Sequence, residues 1–247
     1  MSRSLAAAAA TEVLDLCSGG GGPWLRLSRQ LLGVYRLPIR VCLTDKYPNR
    51  EAFEKVHLRA LTDHVPSVPI PPSANDRPTQ LYQISSLPYP VDARRVPAKL
   101  SGFRTMFSSF HHFGTHEAQE ILADAVTSRS GIAIFEVARR SPRTMLVLCF
   151  TPFLVLLITP FMRPFRWSRL FWTYLVPVVP FVIWYDGWVS CLRAYHLDEL
   201  QEMIAPLHGT DSNPDHPEAS SYRWELGEER SGILPVTYLI GYPEPSA

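Results

Sequence analysis

A close pair of cysteines is missing from this sequence. Cys17, Cys42, Cys149 and Cys191 lie far apart and form no CxxC motif. Neither a disulfide framework nor a structural zinc site is expected, and a reducing compartment is the simpler reading. An excess of one charge is missing too. The 24 Lys and Arg stand against 23 Asp and Glu, a formal net charge of +1. Nothing global therefore favours nucleic acid. The amino terminus lacks the apolar core of a leader: Met1 to Ala10 is mostly an alanine run, and Glu12 and Asp15 follow at once. No signal peptide is expected. There is no internal repeat. Charged residues, at 19%, fall below the roughly 25% of an ordinary globular chain. Proline is what abounds, 23 residues against 13 glycines, which argues against a mostly helical bundle. Hydrophobic residues at 46% and aromatics at 11% exclude wholesale disorder. A length of 247 residues suffices for one large domain or two small ones. The mean hydropathy of −0.02 is that of an unexceptional soluble protein.

The pattern along the chain is an alternation. Glu12 to Cys17 (EVLDLC) is an apolar run ending in the glycines Gly19 to Gly22. Pro23 then opens an amphipathic helix over Trp24 to Gly33. Pro38 to Thr44 reads as a strand ending at Asp45, and Pro48 to Leu58 as a helix. Val65 to Pro78 is a proline-rich connection. Further strands are expected at Gln80 to Ser85, Phe103 to Phe110 and Gly131 to Val137, with a short extended piece ending at Val91-Asp92-Ala93. Helices are expected at Thr115 to Ser128 and near Leu197 to Ala205. His208 to Ser220 is a polar loop. Tyr222 to Glu228 and Pro235 to Tyr242 look like a closing antiparallel pair. Strands alternating with helices imply a parallel sheet with crossover helices. The fold class is thus α/β, a Rossmann-like sheet of about seven strands with a closing antiparallel hairpin and an apolar helical insertion. The expected division is a core over 1–143, the insertion over 144–189 and the rest of the core over 190–247.

Ligands of such sheets bind at the carboxyl ends of the strands. The first turn needs glycine so that backbone can approach a ligand. The run Asp15-Leu-Cys-Ser-Gly-Gly-Gly-Gly22-Pro does not fit GxGxxG, because Trp24 and Leu25 occupy the later positions. Asp15 beside the glycines would repel a pyrophosphate and suits a cationic or amino-bearing ligand. Asp45 stands roughly 20 residues beyond the glycines, where a ribose-binding acid is expected. Asp92 could accept from an adenine amino group, with Ala93 supplying a backbone N–H. The bland alternatives are a flexible glycine turn, a helix N-cap at Asp45 and a solvent-exposed acid at Asp92.

Taken together, VLDLCSGGGG, LTDKYPN, PVDARRVP, FRTMFSSFHHF, GIAIFEV, YRWELG and VTYLIGYP resemble the motifs of class I S-adenosylmethionine-dependent methyltransferases. The resemblance covers most of the chain outside the apolar block. It narrows to a subgroup with an HHF motif and an apolar segment after the fifth strand, and that subgroup carries no substrate assignment. It implies S-adenosyl-L-methionine as cofactor. Asp15, Cys17, Gly19, Gly20 and Gly21 would hold its methionine part, Asp45 its ribose, and Asp92 with Ala93 its adenine. The resemblance also implies a helix ahead of the first motif. About a dozen residues precede that motif here, so either the alanine run supplies the cover or the start is truncated.

Methyl transfer needs alignment above all, and a base only for weakly acidic acceptors. His111, His112, Asp186 and Tyr195 are the base candidates, and His111 and His112 are the catalytic expectation because they follow the fourth strand. The alternative is a histidine capping the next helix. His112 and His116 are spaced i, i+4 but lack a third ligand, so no metal is expected. Glu136 is read as a structural partner of Arg139 or Arg193.

The alternation breaks at Thr144 to Met162 and Leu170 to Tyr185, which carry no charge and are separated by Arg163, Arg166 and Arg169. The first segment would be roughly 28 Å long as a helix, close to the ~30 Å of a bilayer's hydrocarbon core. Strands on both sides of the insertion share one sheet, so the chain crosses a membrane twice or not at all. Two crossings would put the three arginines on the far side, against the positive-inside tendency. A helical pair lying in or dipping into the interface is therefore favoured, with Arg snorkelling and Trp167, Trp172, Trp184 and Trp188 near headgroups. A spanning hairpin, a lid over a lipophilic substrate and a dimer surface are the other readings. The sequence thus predicts a membrane-associated methyltransferase with its catalytic domain on the cytoplasmic side. Its expected partners are a small lipophilic acceptor and a membrane surface, with no nucleic acid and with homo-oligomerisation left open. The alternative is a membrane-tethered, non-catalytic cofactor-binding or scaffold protein.

Overall fold

The computed structural model describes residues 4–5, 8, 10–62, 83–208, 222–230 and 234–244. The expected connection at Val65 to Pro78 and most of the polar loop after His208 lie outside them. Seven strands form one sheet: β1 (Glu12–Asp15), β2 (Arg40–Leu43), β3 (Gln83–Ser86), β4 (Phe103–Phe107), β5 (Ile132–Glu136), β6 (Tyr222–Glu229) and β7 (Val236–Pro243). Their order is β3-β2-β1-β4-β5-β7-β6. The first five are parallel, and β7 pairs antiparallel with both β5 and β6. The expected architecture, closing hairpin included, is the one observed.

Two-residue periodicity builds the core on both faces. Leu14, Ile132, Ile134 and Leu239 point to one face, where α3 (Thr115–Thr127) and α8 (Leu197–Ile204) pack. Their strand neighbours Val13, Ala133 and Ile240 point to the other, against α1 (Trp24–Tyr35) and α2 (Arg50–Thr62). Helix α3 shows why: Ala118, Ile121, Leu122 and Ala125, at helical spacing, are its buried residues. Its start is fixed by Glu117, which reaches back 3.1 Å to accept from the Gly114 N–H.

After β5 the chain leaves the sheet as a helical hairpin. Its first limb is α4 (Pro142–Cys149) and α5 (Thr151–Ile158). Together with the turn that follows they form a helical stretch of 20 residues, Pro142–Phe161, and little of its most apolar part is buried inside the protein. The return limb is α6 (Trp167–Leu170), a π-helical turn (Phe171–Leu175) and α7 (Val178–Arg193). It bends by 72° around Pro177. The limbs approach closely at Gly187, where a Cβ would lie 2.8 Å from Leu148. Arg140, ahead of α4, donates 2.6 Å to the Ala194 carbonyl just past α7. Both ends of the hairpin are thereby held at the same edge of the sheet.

Candidate functional site

The carboxyl ends of β1 and β2 are locked to each other. Thr44 N donates to the Asp15 carbonyl at 2.8 Å, and Ser18 N donates to the Thr44 carbonyl at 2.9 Å. The Thr44 and Ser18 hydroxyls both donate to that same Asp15 carbonyl, at 2.8 and 2.9 Å. Beyond the lock the backbone turns left-handed at Cys17 (φ 56°), Gly19 (52°), Gly21 (99°) and Gly22 (55°). Gly21 is doubly required, since a Cβ there would lie 2.5 Å from a Val56 methyl. Within the turn, Gly21 N donates 2.7 Å to the Ser18 carbonyl.

Three acids surround this turn. The Asp15 side chain is buried beneath it, and the Thr105 hydroxyl of β4 donates 2.7 Å to its Oδ1. Burial pushes its pKa up to about 6 despite that bond and those of its other neighbours. Asp45 accepts from Gly19 N through Oδ2 and from Tyr47 N through Oδ1, each at 2.8 Å. The loop after β3 docks beside it, with Val91 N donating 2.9 Å to the Asp45 carbonyl. Burial, together with the charges of Asp45, Asp15 and Asp92, pushes the Cys17 thiol up to about 12. The acids therefore converge on Cys17, as their positions at neighbouring strand ends imply.

Asp92 differs from the expectation. Its Oδ1 accepts from Arg94 N at 3.0 Å and Nε at 3.1 Å, and its Oδ2 from Arg94 Nη2 at 2.8 Å. Lys46 Nζ stands 3.3 Å away. Three hydrogen bonds from Arg94, with the Lys46 ammonium beside them, engage both oxygens of the carboxylate. The Arg94 hydrogen bonds hold its pKa well below the usual range. Asp92 thus anchors its loop, and its neighbour Ala93, buried in the core, is held at the edge of the sheet.

Next along the edge, β4 ends earlier than its sequence suggests. Ser108 adopts φ 47°, and Phe110–His112 forms a 3-10 turn. Glu136, at the end of β5, accepts from Phe110 N at 2.6 Å and from His111 Nδ1 at 2.7 Å. The pairings proposed from sequence are not made: Arg139 pairs with Glu228 at 2.8 Å, and Arg193 donates 2.9 Å to the His112 carbonyl. The sequence signal for the Glu136–His111 pair was only that both residues stand at adjacent strand ends. The His112 ring lies 4.3 Å from that of His111. Burial, reinforced by His111, lowers its pKa, against the opposing charges of Glu136 and Asp186. Asp186 of α7 therefore faces this cluster. The Tyr195 hydroxyl donates 2.7 Å to the Phe113 carbonyl. Neither histidine caps α3, a role taken by Glu117. Among the described residues no group of three or more His, Cys, Asp or Glu side chains could hold a metal ion.

The hairpin adjoins this cluster. Its surface is apolar outward: Phe153 and Leu157 are each 68% exposed, and Phe161, Trp167 and Leu175 are exposed as well. Trp184 and Trp188 instead turn toward each other, with ring centres 6.0 Å apart, which leaves Trp167 and Trp172 as the outward pair. At the tip, Arg169 donates 3.1 Å to the Met162 carbonyl. Lys55 and, more weakly, Arg166 hold the Glu51 carboxyl below its usual range. Arg166 at the tip is thus near enough to the start of α2 for its charge to reach Glu51. An open hollow of about 740 Å³ lies at the opposite, amino-terminal edge, lined by Glu12, Arg40, Gly102 and Arg104 among others. It is far from the turn and the acids.

No protein-family model and no curated protein matches the chain. Solved structures similar to it include a protein of Rhodobacter sphaeroides described as a zinc-dependent alcohol dehydrogenase. That match has 12% identity, 96% of this chain and 85% of the other covered, and a TM-score of 0.46. They also include the methyltransferase domain of bacterial CtHen1, with 12% identity, 96% and 93% covered and a TM-score of 0.48. A third is the mitomycin 7-O-methyltransferase MmcR, with 15% identity, 98% of this chain and 51% of that one covered, and a TM-score of 0.48.

Proposed function

We propose that this chain is an S-adenosylmethionine-dependent methyltransferase that works at a membrane surface on a small lipophilic acceptor. The observation that carries the proposal is the left-handed turn over a buried carboxylate, with a second carboxylate bonded to the turn itself. A dry carboxylate beneath this glycine turn suits a ligand that bears a cationic end. Asp15 and the backbone of Cys17, Gly19, Gly20 and Gly21 would hold the methionine portion. Asp45 retains lone pairs for ribose hydroxyls. Adenine falls to the Ala93 N–H, since Asp92 is committed to Arg94. When bound, the cofactor supplies an electrophilic methyl group on a sulfonium. The protein's part is alignment in a water-poor cleft.

The membrane part of the proposal rests on the hairpin. It is read as lipid-facing rather than as a dimer contact because exposed aromatics and arginines cluster at its tip. The 72° bend in the return limb favours a helical pair dipping into one leaflet. Arg139, Arg140 and Arg143 at its base favour the cytoplasmic side.

Isothermal titration of S-adenosylhomocysteine into the intact chain in detergent tests the cofactor site. Binding is expected, and none would sink the proposal. Asp45→Ala is expected to weaken affinity by about tenfold or more, the loss of one or two hydrogen bonds to a charged acceptor. Unchanged affinity would remove Asp45 from the site.

A further inference from the structure

We infer that Glu136 is the positioning residue of a His111 general base, and that the acceptor is consequently a weakly acidic hydroxyl compound methylated on oxygen. The inference rests on the methyltransferase reading above and names its acceptor class. Glu136 is 8% exposed and His111 5%. Both carboxylate oxygens are directed at the turn that carries the histidine, one to its backbone at 2.6 Å and one to its ring at 2.7 Å. With Nδ1–H donating to a carboxylate, Nε2 carries the lone pair, and the carboxylate stabilises the imidazolium that forms when Nε2 takes a proton. A purely structural carboxylate at the end of β5 had cations within reach in sequence, yet Arg139 and Arg193 go elsewhere.

A base of this kind decides the acceptor. Carboxylic acids are ionised near neutral pH, and thiols, with a pKa of about 8.5, supply a strongly nucleophilic thiolate fraction there, so neither depends on such a pair. An alcohol or phenol keeps its proton and needs it taken as the bond forms. The acceptor O–H gives its proton to His111 Nε2. The oxygen forms a bond to the methyl carbon. The carbon–sulfur bond breaks with its electron pair returning to sulfur, and the neutral thioether leaves. The proton later passes to water.

Around the histidine pair the charged groups are Glu136 from β5 and Asp186 and Arg193 from α7. The tautomer is read directly from the imidazole nitrogen signals of the ¹⁵N-histidine-labelled chain in detergent. In the neutral ring the proton is expected on Nδ1, facing Glu136, with Nε2 bare. A neutral ring with its proton on Nε2 overturns the assignment. Glu136→Gln keeps an acceptor for the backbone bond but removes the charge.

Activity is compared with 2-naphthol and naphthalene-2-thiol at slightly alkaline pH. Glu136→Gln is expected to cut naphthol methylation about a hundredfold, and thiol methylation by less than about threefold because that acceptor is already ionised. Should Glu136→Gln fail to fold, His111→Gln carries the same comparison. Equal losses on both probes, or naphthol left unmethylated by the natural chain, overturn the oxygen-acceptor class. Absence of S-adenosylhomocysteine binding overturns this inference and the methyltransferase reading together. Binding with unselective losses overturns this inference alone.

Discussion

Asp15 is a carboxylate kept away from water, and pH exposes what that costs. Its pKa moves from 3.8 to about 6 on folding, so between those values the folded chain holds a proton that the unfolded chain has released. The stability tied to that proton is complete below about pH 4 and is lost as the pH rises through about 6, a change of at most about 3 kcal/mol. Without ligand, Asp15→Asn is expected to melt above the natural chain at about pH 7.5 and level with it near pH 4. Thermal scans at the two pH values check this, and a higher melting point at low pH only would contradict it. A cation beside Asp15 favours its ionised form, so binding of S-adenosylmethionine near pH 6 should expel protons. Calorimetry in two buffers of different ionisation enthalpy measures that release. The glycines of the turn are not alike either. Gly21→Ala meets both a positive φ and Val56, and is expected to cost about 1–3 kcal/mol. Gly20→Ala, in open space, should stay within about 0.5 kcal/mol on the same denaturation curves.

The hairpin is the element whose apolar surface is least covered by the rest of the described protein. Phe153 and Leu157 project from α5 and touch little of the protein, so the double variant Phe153→Asp, Leu157→Asp should leave the melting point nearly unchanged. Each removes about 2 kcal/mol of burial in lipid. Sedimentation with vesicles should therefore show partitioning reduced by about a hundredfold or more; undiminished partitioning would assign these faces to protein contacts instead. The hairpin was visible in the sequence because two charge-free runs leave a plain signature. The sheet was visible because apolar alternation repeats at each strand. What stayed hidden is what sequence periodicity does not encode. The end of β4 depends on a left-handed Ser108 with no glycine or proline to announce it. Helix α7 runs through Asp186 and Gly187 to Arg193, where the return of charge reads as a new segment. At the site, Asp15 and Asp45 follow from their places at strand ends. The occupation of Asp92 by Arg94 and the meeting of Glu136 with His111 are choices among partners, made only when side chains pack.

For the whole molecule, the central fact is that the glycine turn, the histidine cluster and both ends of the hairpin share one edge of one sheet. Arg140 ties the two hairpin ends together, and Arg193 ties the second to the histidine turn. Under the proposed function, an edge fastened in this way to an apolar hairpin would be turned toward the bilayer, and the acceptor would be met there. The reaction would then be two-dimensional. What saturates the enzyme is the acceptor's mole fraction among the lipids, and its amount per litre of suspension is immaterial once it has partitioned. Adding inert phospholipid at constant total acceptor should slow the bound enzyme in proportion to the surface dilution, whereas doubling vesicles and acceptor together should leave its rate unchanged.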